Sequence, residues 1–92
     1  MAESEKLKRL KKRISEIADK RKNVSLDEID WVAKQLQEFY PVSYREARHG
    51  RLYNIAGHRF MVNYHNPGEK QVKTYSVDDF LDVMVDLDVY EE

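Results

Sequence analysis

Cysteine is absent from the chain. That excludes disulfides, thiolate-held zinc and cysteine nucleophiles together, and leaves histidine and carboxylates as the only side chains able to hold a metal. A reducing compartment fits this absence. The three glycines are scattered and none opens a helical pattern, so no phosphate-cradling glycine loop is expected. No apolar run approaches the roughly 18 residues a bilayer span needs, and the opening MAESEKLKRLKKR lacks the apolar core of a secretion signal. The expectation is therefore a cytoplasmic protein with no membrane association. One further absence is local: residues 76–92 contain seven acids and no lysine or arginine.

What is present fits one small domain. Ninety-two residues, 41% hydrophobic and 36% charged, can sustain a single core but not two. The net charge of −1 conceals strong patterning. Residues 1–24 carry nine basic groups against four acids, residues 25–43 one against four, and residues 44–75 six against two. A basic arm and a basic middle thus alternate with acidic segments, so the average charge says little about partners.

Leu7, Leu10, Ile14 and Ile17 recur at three- and four-residue steps, which predicts a basic amphipathic helix over residues 1–22. It either docks on the domain with solvated lysines or serves as an arm for phosphates or a partner. The rest, residues 23–92, reads as a single α+β domain. Ser25 as N-cap, Glu28 three residues on, and Val24 with Ile29 as a hydrophobic staple predict a helix start; Pro41 predicts its end near Phe39. VSYREAR alternates as an edge strand, HG at 49–50 marks a turn, and RLYNI continues to Ala56-Gly57, a second turn or a bulge. HRFMVNYH follows, with NPGE as a turn to a further strand KQVKTY. A last helix is expected to be capped by Ser76, with Asp79 three residues later, Tyr75 and Phe80 as its staple, and Val77, Phe80, Leu81, Met84 and Leu87 as its apolar face. The predicted architecture is a small three- or four-stranded antiparallel sheet with helices packed on one face, plus the extra N-terminal helix.

No nucleophilic triad is visible. Strand spacing puts His58 and His65 on opposite faces, so neither a metal nor another cofactor is expected. The middle segment interleaves Arg45, Arg48, Arg51, Arg59, Lys70 and Lys73 with Tyr44, Tyr53, Tyr64 and Tyr75. Cations and rings mixed on a sheet offer phosphate contacts and base stacking together, a surface suited to single-stranded RNA. His58 is either an acid–base imidazole or a polar residue on the wet face of a strand; metal-free RNA cleavage needs a group that titrates near neutrality, as imidazole does.

The order of KNVSLDEIDWVAKQL, strands, a histidine after small residues, and then VKTYSVDDFLDVMVDL resembles the HicA-type mRNA interferases, the toxins of HicA/HicB modules. The resemblance spans roughly residues 23–90, and its best part is Val72-Lys73-x-Tyr75-x-Val77 followed by Leu81 and Leu87. It implies a double-stranded-RNA-binding-like fold: a helix, a three-stranded sheet and a second helix. It also implies mRNA cleavage by the histidine of a Gly-Ser-His motif, to which Ala56-Gly57-His58 corresponds with Gly57 in the serine position. On this reading His58 is the general acid or base, and Arg45, Arg48, Arg59, Lys70, Lys73 and Tyr64 bind RNA. A HicB-like antitoxin or other protein partner would cover the same face. A different expectation is a non-catalytic interaction or inhibitor module that presents Asp79, Asp82 and Asp86 of the acidic last helix to a basic partner. RNA binding without cleavage is a third.

Overall fold

The structure, a computed structural model, describes residues 4–64 and 71–91. Helix α1 (Glu5–Lys20) starts at Ser4, whose side chain accepts a hydrogen bond from the Leu7 amide, and its apolar stripe is fully used: Leu10, Ile14 and Ile17 are completely buried. The helix is thus docked by its narrow apolar stripe, and its basic residues occupy the solvent side. Helix α2 (Leu26–Leu36) carries the predicted capping box, with the Ser25 hydroxyl accepting from the Glu28 amide and the Glu28 carboxylate accepting from the Ser25 amide. Burial pushes the Glu28 carboxyl up, but Lys20 and the Ser25 amide outweigh it and hold the group below the ordinary value. Regular helix ends at Leu36 and a turn occupies residues 37–39, slightly before the limit set by Pro41.

Strands β1 (Val42–Ala47), β2 (Gly50–Ile55) and β3 (His58–Asn63) form one antiparallel sheet in that order. Both connections are two-residue turns. Ala56 and Gly57 make the second, with φ of 53° and 88°, so Ala-Gly is a turn and not a bulge. Two positive φ values match the twist of the flanking strands, and only Gly57 adopts such a value without steric cost. Helix α3 (Thr74–Asp86) then closes the domain. Element order and sheet topology make the protein an α+β fold, a three-stranded open sheet with three helices, of the small double-stranded-RNA-binding-like type.

Two local expectations are corrected. Among the described residues KQVKTY supplies no fourth strand: Gln71 and Val72 make single bridges, to Ser25 and Tyr64, and helix begins at Thr74. The NPGE turn lies outside the described residues. Ser76 does not cap α3 either, since Lys73 holds the cap position without a side-chain bond. Ser76 instead lies in the first turn, fully buried, where its hydroxyl accepts a hydrogen bond from the Asn63 amide at 2.9 Å. A hydroxyl that satisfies a neighbouring strand serves the packing of α3 on β3, a use that spacing along one helix could not reveal.

The core lies between the sheet and the helices. Tyr53, Ile55, Phe60 and Val62 point into it from the strands, and Val77, Phe80, Leu81 and Met84 meet them from α3. Tyr44, Tyr53 and Phe60 are register partners across the three strands, and their rings form a row that continues to Phe80, with centroids 5.9, 5.4 and 5.8 Å apart. Among the described residues no helix is long and apolar enough to cross a membrane.

Candidate nucleic-acid interface

Because successive strand residues alternate in direction, the register divides the sheet into two faces. Val42, Tyr44, Glu46, Arg51, Tyr53, Ile55, His58, Phe60 and Val62 take the helix side. Ser43, Arg45, Ala47, Gly50, Leu52, Asn54, Arg59, Met61 and Asn63 take the open side. Among the described residues the open face holds two arginines, two asparagines and a serine, and no carboxylate. Its centre is the cross-strand pair Leu52 and Met61, both half-buried, with exposed Arg45 opposite Leu52 on β1 and exposed Arg59 two residues before Met61 on β3. Arg48 and His49, both exposed, form the β1–β2 turn at the end of the sheet away from Arg59.

The helix-side rim is built differently. Arg51 bonds Glu46 and Asp30, and the Asp30 carboxylate also accepts from the Tyr53 hydroxyl at 3.0 Å. Burial pushes the Asp30 carboxyl up, but bonds from Lys34 and Tyr53 and the charges of Lys34 and Arg51 prevail and hold it below the usual value. Burial also drives the Tyr53 hydroxyl well above its ordinary range, so it stays protonated and donates. The Arg51 guanidinium lies 4.6 Å over the Tyr44 ring. Arg51 is therefore committed to the fold.

His58 opens β3 on the helix side, not on the wet face, and its Nδ1 lies 3.8 Å from an Asp86 carboxylate oxygen of α3. Arg59, the next residue, points to the opposite face. Lys73 sits at the far end of β3, where its amide bonds the Asn63 carbonyl, and its ammonium is 5.8 Å from the Tyr75 ring. The fold thus brings Arg45 and Arg59 to one open face, leaves Arg48 in the turn at the far end of the sheet, and leaves His58 and Lys73 outside that face. Tyr64 packs against the core, and the rings of Tyr44, Tyr53 and Phe60 all belong to the helix side, so among the described residues no aromatic stacking platform forms on the open face. Lys70 and His65 lie outside the described residues. Asp79, Asp82 and Asp86 are exposed along α3, and Asp86 alone of the three faces an ionisable partner among the described residues.

Sequence reasoning missed Leu52, Met61 and Asn54 as surface residues. The signal was the two-residue spacing of RLYNI, in which Tyr53 and Ile55 claim the core and Leu52 and Asn54 must oppose them. Among the described residues no cluster of three His, Asp or Glu side chains is placed to hold a metal ion. Compared with known proteins, the chain matches no family model, no curated protein and no solved structure.

Proposed function

We propose that the chain is a HicA-like RNA-binding protein that holds RNA by its phosphates on the open face of the sheet. The observation that carries this reading is the segregation of charge: Arg45 and Arg59 project from a face with no carboxylate, while α3 keeps its aspartates on the other layer. Phosphate contacts from arginine supply affinity and position, and the side-chain amides of Asn54 and Asn63 can add bonds to sugar or phosphate oxygens. The order α2, three antiparallel strands, α3 agrees with the fold that the resemblance implies. Without rings on this face, recognition rests on backbone and shape, with little discrimination among bases. Cleavage by His58 finds less support, because its imidazole faces a carboxylate that repels phosphate and its cationic neighbour Arg59 points away. A HicB-like antitoxin would compete with RNA by covering the Arg45 and Arg59 face.

A second reading is favoured by Asp79 and Asp82, exposed with no ion pair among the described residues: α3 presents them to a basic protein partner. One experiment separates the two. Arg45→Glu with Arg59→Glu should abolish capture of a labelled single-stranded RNA, whereas Asp79→Lys with Asp82→Lys should leave it unchanged or improve it. RNA capture that survives the arginine reversals would overturn the sheet-face reading.

A further inference from the structure

The register of the sheet fixes which backbone groups of β1 are unused. The Pro41 carbonyl accepts from the Ala56 amide at 2.9 Å, which assigns the odd-numbered residues of this strand to the hydrogen-bonded pairs with β2. Likewise the His49 carbonyl accepts from the Tyr64 amide, which directs the odd-numbered residues of β2 to β3. The amides and carbonyls of Val42, Tyr44 and Glu46 therefore face outward along the sheet edge. Among the described residues no other element bonds to them. The opposite edge is capped at its end, where the Ser76 hydroxyl and the Lys73 amide take up both backbone groups of Asn63, while among the described residues no other element bonds the outward groups of Arg59 and Met61.

The β1 edge also interrupts the aromatic row. Phe80, Phe60 and Tyr53 are buried, but Tyr44, the last ring, is 52% exposed. It lies at the middle of the strand whose outward groups are free.

We propose that this edge pairs with β1 of a second copy of the chain, antiparallel about a two-fold axis through Tyr44, to give a six-stranded sheet. A two-fold axis normal to the sheet preserves its faces, so only registers that match residues of the same parity are possible. Centring on Tyr44 sets Tyr44 against Tyr44, Val42 against Glu46 and Ser43 against Arg45, and every outward-facing backbone group of β1 then finds a partner. Centring on Arg45 would put two arginines directly opposite each other and leave the Val42 groups unpaired; centring on Ser43 leaves those of Glu46 unpaired. The favoured register continues the aromatic row from one core to the other, and it joins the two open faces into one surface with Arg45 and Arg59 from each copy. The pairing holds whatever that surface binds.

Because the chain has no native cysteine, a single introduced thiol reports the register directly. Tyr44→Cys should cross-link into a covalent dimer on mild oxidation, since residues on the axis have Cα atoms about 5.5 Å apart, within disulfide reach. Arg45→Cys should not. Position 43 supplies an independent test at an exposed site that leaves the core untouched. Ser43→Asp places a carboxylate against Arg45 of the other copy twice per dimer and should tighten self-association by roughly threefold or more, while Ser43→Arg should weaken it comparably. Sedimentation equilibrium of the full chain and both variants reads this. A wild-type chain that stays monomeric at all concentrations, a cross-link in the Arg45→Cys variant but none in Tyr44→Cys, or a Ser43 series without effect would each overturn the proposal.

Discussion

His58 and Arg59 are consecutive, and the sheet sends them to opposite faces: His58 to the helix side beside Asp86, Arg59 to the open side with Arg45. An imidazole and a guanidinium on one phosphate would have made a cleavage site. Their side chains leave the strand on opposite faces, which divides the sheet into a cationic open face and a helix-side rim that carries ion pairs.

For His58 the expected outcome is therefore neutrality toward RNA. His58→Ala should bind labelled RNA as tightly as wild type, and RNA incubated with wild-type chain should remain intact on a denaturing gel. Cleavage that disappears in His58→Ala would restore the acid–base role.

Asp30 ties α2 to β2 through Arg51 and Tyr53. Asp30→Asn should cost about 1–3 kcal/mol at neutral pH, as expected for a half-buried acceptor of charged and hydroxyl donors. The native carboxyl is held below its ordinary value, so it binds a proton less readily folded than unfolded. Its stabilisation is complete above the unfolded pKa and is lost as pH falls through the lowered one. Urea denaturation at a series of pH values should show wild type and Asp30→Asn converging in acid.

The β2–β3 turn offers a gain in stability. Ala56 holds φ of 53°, costly for a residue with a Cβ, and Ala56→Gly or Ala56→Asn should stabilise by about 0.5–1 kcal/mol. Gly57→Ala should destabilise by a similar amount, about 1 kcal/mol, although a Cβ there meets nothing within 4 Å, because φ of 88° sets the cost. Thermal melts of the three variants check both signs.

Ser76→Ala should be destabilising by about 1–3 kcal/mol, because it leaves the Asn63 amide without its acceptor where α3 meets β3. Ser76→Thr retains the hydroxyl and should recover part of that stability.

Much of this arrangement is legible from local grammar. The capping box at Ser25 and Glu28 writes its geometry into three residues, and the stripe of Leu10, Ile14 and Ile17 names its own buried face. Positions decided across the chain are the ones that local rules misplace. Ser76 reads as a cap because helix rules see only the helix, whereas the Asn63 amide claims it from another element. KQVKTY reads as a strand because the NPGE turn sets it up as the return of a hairpin, but Val72 finds only a single bridge before α3 begins. The tyrosines read as an RNA-stacking set because their number is visible and their face is not; register turns Tyr44 and Tyr53 to the side of Phe60 and Phe80.

The central claim is that Arg45 and Arg59 hold RNA by its phosphates. Fluorescence anisotropy of a labelled single-stranded RNA, titrated with chain over a series of salt concentrations, tests it most directly. The logarithm of wild-type affinity should fall linearly with log salt, and Arg45→Ala with Arg59→Ala should reduce that slope by about 1.4, roughly 0.7 for each phosphate no longer neutralised. An affinity and slope unchanged by the double substitution would contradict the account.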